Sequence, residues 1–175
     1  MKSYVILLRG VMPSGKNRVP MAELRTALCD TGLHEVQTYI QSGNVVAKSR
    51  LDRDAVQSLV HETSLRKIGA DISIIARTHT QVKRVLKQNP FAEESASRTY
   101  FTLLATKPST SRLREFLQLD FAPDDVRVVG DTLYTLYATK HSDSRFNNNF
   151  FEKKLKVVAT TRNYNTLSRL LELSA

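Results

Sequence analysis

Three short polar stretches hold the residues best suited to chemistry in this 175-residue chain. LLRGVMPSGKNR (Leu7–Arg18) places Arg9, Lys16, Asn17 and Arg18 in one loop behind an apolar run. TYIQSGNVV (Thr38–Val46) sets Ser42, Gly43 and Asn44 between two strand-like segments. ATTRNYNTL (Ala159–Leu167) carries Arg162 and Asn163 near the other terminus. Cations attract anions, Asn and Ser orient them by hydrogen bonds, and glycine lets a backbone amide approach closely. Anion recognition is the chemistry these side chains share.

Gly10–Asn17 reads G-V-M-P-S-G-K-N, which departs from the phosphate-cradling G-x-x-x-x-G-K-[ST] loop at its last position. Nucleotide hydrolysis is disfavoured on three grounds. Asn17 lacks the hydroxyl that would ligate magnesium, and the next helix is expected at Pro20 rather than at Lys16. No later apolar strand ends in a metal-holding Asp. A looser anion loop using the Ser14 and Gly15 amides with Lys16 remains, as does a plain basic loop over a sheet edge. Ser42-Gly43-Asn44 also suits an ordinary hairpin turn. Arg162–Thr166 also suits a helix start capped by Thr161 or Asn163, whose free amides beside Arg162 can hold an anion.

Other candidates are weaker. His34, His61, His79 and His141 have no metal-ligand spacing, so no metal site is assigned and solvated or capping roles are expected. Glu93-Glu94 and Asp124-Asp125 read as solvated loop charges, and there is no G-x-S-x-G elbow. No catalytic residue and no cofactor can be assigned. Tyr100-Phe101 and Tyr134/Tyr137 are expected to alternate into a core rather than form an RNA-stacking platform. Cys29, the single cysteine, is expected to be a buried, inert thiol.

These residues need elements to position them. Tyr4–Leu8 predicts a central strand. Pro20 fits the first turn of a helix carrying Met21, Leu24 and Leu28, with Gly32 closing it. Val36, Thr38 and Ile40 alternate as a strand, and Val45–Lys48 follows the Ser42-Gly43-Asn44 turn. A helix through Val56, Leu59 and Val60 ends at Gly69, and Ile72, Ile74 and Ala76 form the next strand. Thr78 and Gln81 make a capping box for a helix that Pro90 stops. The pattern then repeats. Arg98–Ala105 is a strand, and Leu113, Phe116 and Leu117 share a helical face. Val126–Val129 and Leu133–Ala138 flank a turn at Gly130-Asp131. Phe146, Phe150, Phe151 and Leu155 mark a helix, Val157–Ala159 a short strand, and Tyr164, Leu167 and Leu171 a last helix.

The expected fold is α/β (α+β): two ferredoxin-like β-α-β-β-α-β subdomains packed together. Their expected bounds are residues 1–77 and 97–175, with a linking helix and Asn-Pro-Phe segment at 78–96. Phe91 is expected to be buried where the halves meet.

Composition narrows the function classes. Hydrophobic residues at 41% and charged ones at 25% suit a globular core and argue against disorder. No run approaches the ~20 apolar residues of a membrane helix. The apolar stretch in MKSYVILLRG is too short for a signal peptide and ends at Arg9, so it is read as a strand of a cytoplasmic protein. The net charge is +9, and residues 1–90 hold 14 Lys and Arg against 7 Asp and Glu. That field favours nucleic acid, nucleotides or phosphorylated metabolites, though it also serves solubility. Nothing in the sequence sets an oligomeric state.

The motifs together resemble a bacterial family known only as domain of unknown function 1697. The likeness rests on Leu8-Arg9-Gly10 with Gly15-Lys16-Asn17, on Met21 and Leu24, and on Thr38–Asn44. Asn89-Pro90-Phe91 and Thr161–Thr166 complete it, with Tyr164 where the family has Trp. The departure is Val11-Met12-Pro13-Ser14, where the family reads closer to Ile-Asn-Val-Gly. The resemblance implies two ferredoxin-like subdomains in an intracellular protein, and no established activity, cofactor or catalytic residue.

The leading expectation is binding of a phosphorylated or anionic ligand, a nucleotide or nucleic acid, in one shared pocket. Its contacts would be Arg9, Lys16, Asn17, Ser42, Gly43, Asn44, Arg162 and Asn163. Lys16 and Arg162 are expected to be exposed charges whose removal leaves stability almost unchanged. The alternatives are a metal-independent small-molecule enzyme and a pure interaction module. Salt separates nucleic acid from the rest. If the basic half binds it, affinity falls with salt on a log–log slope of roughly 0.7–0.9 per phosphate neutralised. An electrophoretic titration showing no binding at low salt, or binding indifferent to salt, removes nucleic acid.

Overall fold

The computed structural model describes residues 1–175. The chain begins β1 (Lys2–Leu8), α1 (Met21–Cys29), β2 (His34–Thr38), β3 (Asn44–Ser49), α2 (Arg53–Thr63) and β4 (Ile74–Thr78). Helices α3 (His79–Lys87) and α4 (Glu93–Ala96) follow. The pattern then recurs as β5 (Tyr100–Leu104), α5 (Thr110–Leu117), β6 (Asp125–Val129), β7 (Thr132–Leu136), α6 (Asn148–Leu155) and β8 (Ala159–Asn163), before α7 (Tyr164–Leu173). There are two four-stranded sheets, ordered β2-β3-β1-β4 and β6-β7-β5-β8, with every pairing antiparallel. The mixed α/β class and the repeated β-α-β-β-α-β order are those expected from the sequence. One compact unit comprises Met1–Arg84 with Ser168–Ala175, the other Val85–Leu167. No helix is long and apolar enough to cross a membrane.

In the first unit, β1 lies between β3 and β4, which explains its unbroken apolar run. Tyr4, Ile6 and Leu8 pack with Met21, Leu24 and Leu28 of α1 and Val56 and Val60 of α2, while Val5 and Leu7 on the other face are buried too. Pro20 stands just before α1 rather than in its first turn. Cys29 is exposed, not buried. It follows Leu28 by one residue, and one residue turns a helix about 100°, off the apolar stripe. Asp52 caps α2 by accepting from the Ala55 amide at 2.9 Å. One wider turn at Ser64–Ile68 then carries the chain to Gly69, at φ 79°. Ile40, at φ 51° and exposed, has left the strand the sequence extended to it. The strand expected from Ile72 starts instead at Ile74.

In the second unit, Asn89 bridges the segment behind Pro90. Its Oδ1 accepts from the Phe91 amide at 3.2 Å and its Nδ2 donates to Thr99 Oγ1 at 2.9 Å. Phe91 is buried, with the Arg127 guanidinium 4.6 Å from its ring centre. Tyr134 is buried and donates from its hydroxyl to the Val85 carbonyl at 2.9 Å. Phe116, Phe151 and Leu155 build the core against Leu104, Leu133 and Ala159. Leu117, expected on the same face as Phe116, is exposed because successive helical residues diverge. Glu93 and Glu94 open α4 rather than lying in a loop. The last strand is Ala159–Asn163, where Val157–Ala159 was expected. Pairing with β5 holds Thr160–Asn163 extended, so polar residues in a helix-cap pattern join the sheet.

The capping box is present in both directions. Thr78 donates its amide to Gln81 Oε1 at 2.9 Å, and the Gln81 amide donates to Thr78 Oγ1 at 3.3 Å. Removing a cap of this kind costs about 0.5–2 kcal/mol. Thr78→Ala and Gln81→Ala are therefore each expected to lower the unfolding free energy measured by urea denaturation by that order, because the two side chains accept from different backbone amides.

Candidate functional site

Loop 9–18 and turn 40–43 are neighbours in the first unit. Leu8 donates its amide to the Gly43 carbonyl at 2.9 Å, and Arg9 donates to Ser73 at 3.0 Å. The loop closes on itself through Met12 to the Asn17 carbonyl at 2.9 Å and Arg18 to the Gly15 carbonyl at 3.1 Å. Asn17 lies against Gly10, its Nδ2 3.6 Å from where a Cβ on that glycine would stand. Lys16 and Arg18 are exposed, whereas Arg9 and Asn17 are half-buried. The structure thus brings Arg9, Lys16, Asn17, Ser42, Gly43 and Asn44 into one region of this unit. Helix α1 starts beyond the Gly15-Lys16 pair and both sheets are antiparallel, so the loop lacks the strand-to-helix setting of the G-x-x-x-x-G-K-[ST] motif.

Turn 40–43 is held from inside. Asn44 is fully buried, and its Nδ2 donates to the Tyr39 carbonyl and to Ser42 Oγ, both at 3.0 Å. Tyr39 returns its amide to the Asn44 carbonyl at 3.0 Å. Gly43 has φ 83°, and a Cβ there would stand 2.6 Å from Val11 Cγ2 and 2.8 Å from Leu8 Cβ. Only glycine permits that approach.

Arg162 and Asn163 belong to the second unit. Asn163 is the cap of α7, accepting from the Thr166 amide at 2.9 Å. Arg162 is in β8, paired with Phe101, and is only 9% exposed. Its Nη1 donates to Thr160 Oγ1 and the Thr161 carbonyl, both at 2.8 Å. Burial lowers its pKa to about 10, which leaves it charged at neutral pH. The expectation that it is an exposed charge is corrected: the antiparallel pairing with β5 carries it into the interior. Its removal should therefore cost stability.

The aromatic residues divide. Phe101 and Tyr134 are core, as expected, their rings 5.5 Å apart. Tyr100 and Tyr137 are only partly buried and line a groove of about 890 Å³ with Arg98, Lys140, His141 and Asn163. Sequence reasoning missed this groove. The available signal was alternation: Tyr100 and Phe101 are adjacent in a strand and must face opposite ways. Among the histidines, His61 meets Asp71 at 2.8 Å and His79 meets Ser174 at 2.9 Å. No group of three or more His, Cys, Asp or Glu is placed to hold a metal ion.

The model of the family described as protein of unknown function (DUF1697) matches residues 1–134. The chain belongs to this family. For the DUF1697 chain, the first two polar motifs and the Asn-Pro-Phe segment fall inside the matched span, while Thr161–Thr166 falls beyond it. The solved structure of the conserved bacterial protein SP0830 from Streptococcus pneumoniae is similar across 99% of both chains, at 20% identity and a TM-score of 0.72. That likeness is one of fold. No functionally curated protein matches.

The glycines differ in a way that can be measured. Gly15, at φ 80°, has nothing within 4 Å of a Cβ position. Gly15→Ala should cost only the left-handed backbone penalty, roughly 1–2 kcal/mol. Gly43→Ala adds overpacking of about 1–3 kcal/mol against Leu8 and Val11. Chemical denaturation should rank Gly43→Ala well below Gly15→Ala; equal losses would refute the close-packing account.

Proposed function

We propose that this protein binds a phosphate-bearing ligand, a nucleotide or nucleic acid, through loop 9–18. The observation that carries this reading is a run of four amides. Ser14, Gly15, Lys16 and Asn17 donate their N–H groups to no protein acceptor, in a bend containing left-handed Gly15. Successive amides in such a bend form an anion-binding concavity. Lys16 and Arg18 add charge at the same place, and Asn17 adds a side-chain donor. The first unit holds 14 Lys and Arg against 8 Asp and Glu, a net +6, so its field favours an anion. Ser42, Gly43 and Asn44 act here as the platform beneath the loop. The turn held by Asn44 and the close approach at Gly43 set where the loop begins.

Titrating labelled protein with inorganic phosphate and with a nucleoside triphosphate tests this. The backbone amide signals of Ser14–Asn17 should shift saturably. Lys16→Ala and Arg18→Ala should each weaken binding about tenfold while changing stability by less than about 1 kcal/mol, as exposed charges do. Unmoved loop amides at millimolar ligand would refute the assignment.

A further inference from the structure

The groove in the second unit has a different character from the basic loop. Three rings meet at its floor. The imidazole of His141 stacks on Tyr100 with ring centres 4.8 Å apart and planes 9° from parallel. Tyr137 stands edge-on to both, 5.1 Å from Tyr100 and 5.0 Å from His141. Tyr137 is fixed by its hydroxyl, which donates to the Phe146 carbonyl at 2.7 Å.

The segment carrying His141 is also held in advance. Asp124 accepts from the Ala138 amide at 2.8 Å through Oδ1 and from Ser144 Oγ at 2.7 Å through Oδ2. One carboxylate thus fastens both ends of the stretch that presents Lys140 and His141. Asp124, expected from the sequence to be a solvated loop charge, instead restrains a loop. Such restraint lowers the ordering cost of binding.

Some groups along the groove are spent within the protein, Arg98 donating to Ser95 Oγ at 3.3 Å and Ser142 to Asp143 at 3.2 Å. Both ring nitrogens of His141 and the Tyr100 hydroxyl have no hydrogen-bond partner in the protein. Asn163 uses its Oδ1 as the α7 cap, so its Nδ2 remains to donate outward. Burial lowers the His141 pKa, so the imidazole is neutral at pH 7 and offers one donor and one acceptor. Arg98 and Lys140 supply positive charge, against Asp143 as the one acid on the lining. A groove of about 890 Å³ lies in the range of small-molecule sites.

We propose that this groove binds a nucleoside phosphate, its base against the Tyr100–His141–Tyr137 rings and its phosphate at Arg98 and Lys140. A bare anion would leave the rings idle, and an uncharged ring would leave both cations idle. Aromatic floors accept any base because every base has a flat π face, while the unpartnered imidazole and amide read its polar edge. This site is separate from loop 9–18 and does not depend on the reading given to that loop.

The test is a nuclear magnetic resonance titration of the full chain with adenosine monophosphate, adenosine and inorganic phosphate. The monophosphate should shift the His141 and Tyr100 ring signals saturably, with adenosine and phosphate each at least about tenfold weaker. Tyr100→Leu and His141→Ala should weaken the monophosphate about tenfold or more, as loss of a stacking partner does. Lys140→Ala should weaken the monophosphate and leave adenosine unaffected. Lys16→Ala should leave the monophosphate-induced shifts of the His141 and Tyr100 rings unchanged, whatever it does to the Ser14–Asn17 amides, which separates this site from the loop. The proposal is overturned if phosphate shifts the Tyr100 ring signals as tightly as the monophosphate does, if the monophosphate moves only the Ser14–Asn17 amides, or if in folded His141→Ala the Tyr100 ring signals titrate with the monophosphate as in wild type.

Discussion

The first polar region depends on one close approach, that of the Gly43 backbone to Leu8 and Val11. A methyl group at Gly43 would stand 2.6 Å from Val11, well inside van der Waals contact. The same residue accepts the Leu8 amide, so the end of β1 and the hairpin turn are joined backbone to backbone. Asn44 then completes the turn from a fully buried position, with side-chain bonds to Tyr39 and Ser42. Loop 9–18 leaves β1 just after this junction, and its starting point and direction follow from it. A larger residue at position 43 would move the loop before it touched any ligand.

The two units build different surfaces on one plan. Register pairs Tyr4 with Thr78 in the first sheet and Tyr100 with Asn163 in the second. Thr78 and Asn163 each accept an amide three residues on, at the start of α3 and α7. One residue earlier stand Arg77 and Arg162, both buried, each donating from Nη1 to the carbonyl of the residue before it. The equivalent tyrosines diverge. Tyr4 is buried, with its hydroxyl on the Leu51 carbonyl at 2.8 Å, whereas Tyr100 is partly exposed and stacked on His141. A scaffold repeated with such fidelity leaves individual positions free to become core in one copy and the lining of a groove in the other.

Membership of DUF1697 places the chain in a family of unknown function and assigns no chemistry to these motifs. Several motif residues have clear structural work. Gly43 permits a contact, Asn44 closes a turn, and Asn89 bridges Phe91 to Thr99. Asn163 caps a helix while keeping one donor for the groove. Lys16 and Arg18 are exposed on the loop itself.

The amino-acid order settled what depends on near neighbours. The apolar run of β1, the stripe of Met21, Leu24 and Leu28, the Thr78–Gln81 capping box and the turn glycines were all readable, because their causes lie within a few residues. The order of elements followed from these, and with it the α/β class. Partners distant in sequence settled the rest. Pairing with β5 drew Arg162 into a strand and buried it, although its local sequence also suits a helix start. Cys29 and Leu117 were exposed by the rotation of their helices against a core that others had filled. Tyr100, Tyr137 and His141 came together because β5, β7 and the turn after β7 meet in space, with Asp124 holding that turn. Local pattern fixes which residues can be core. Which of two suitable residues becomes core, and which is left facing a groove, depends on strand pairing between segments far apart in the chain.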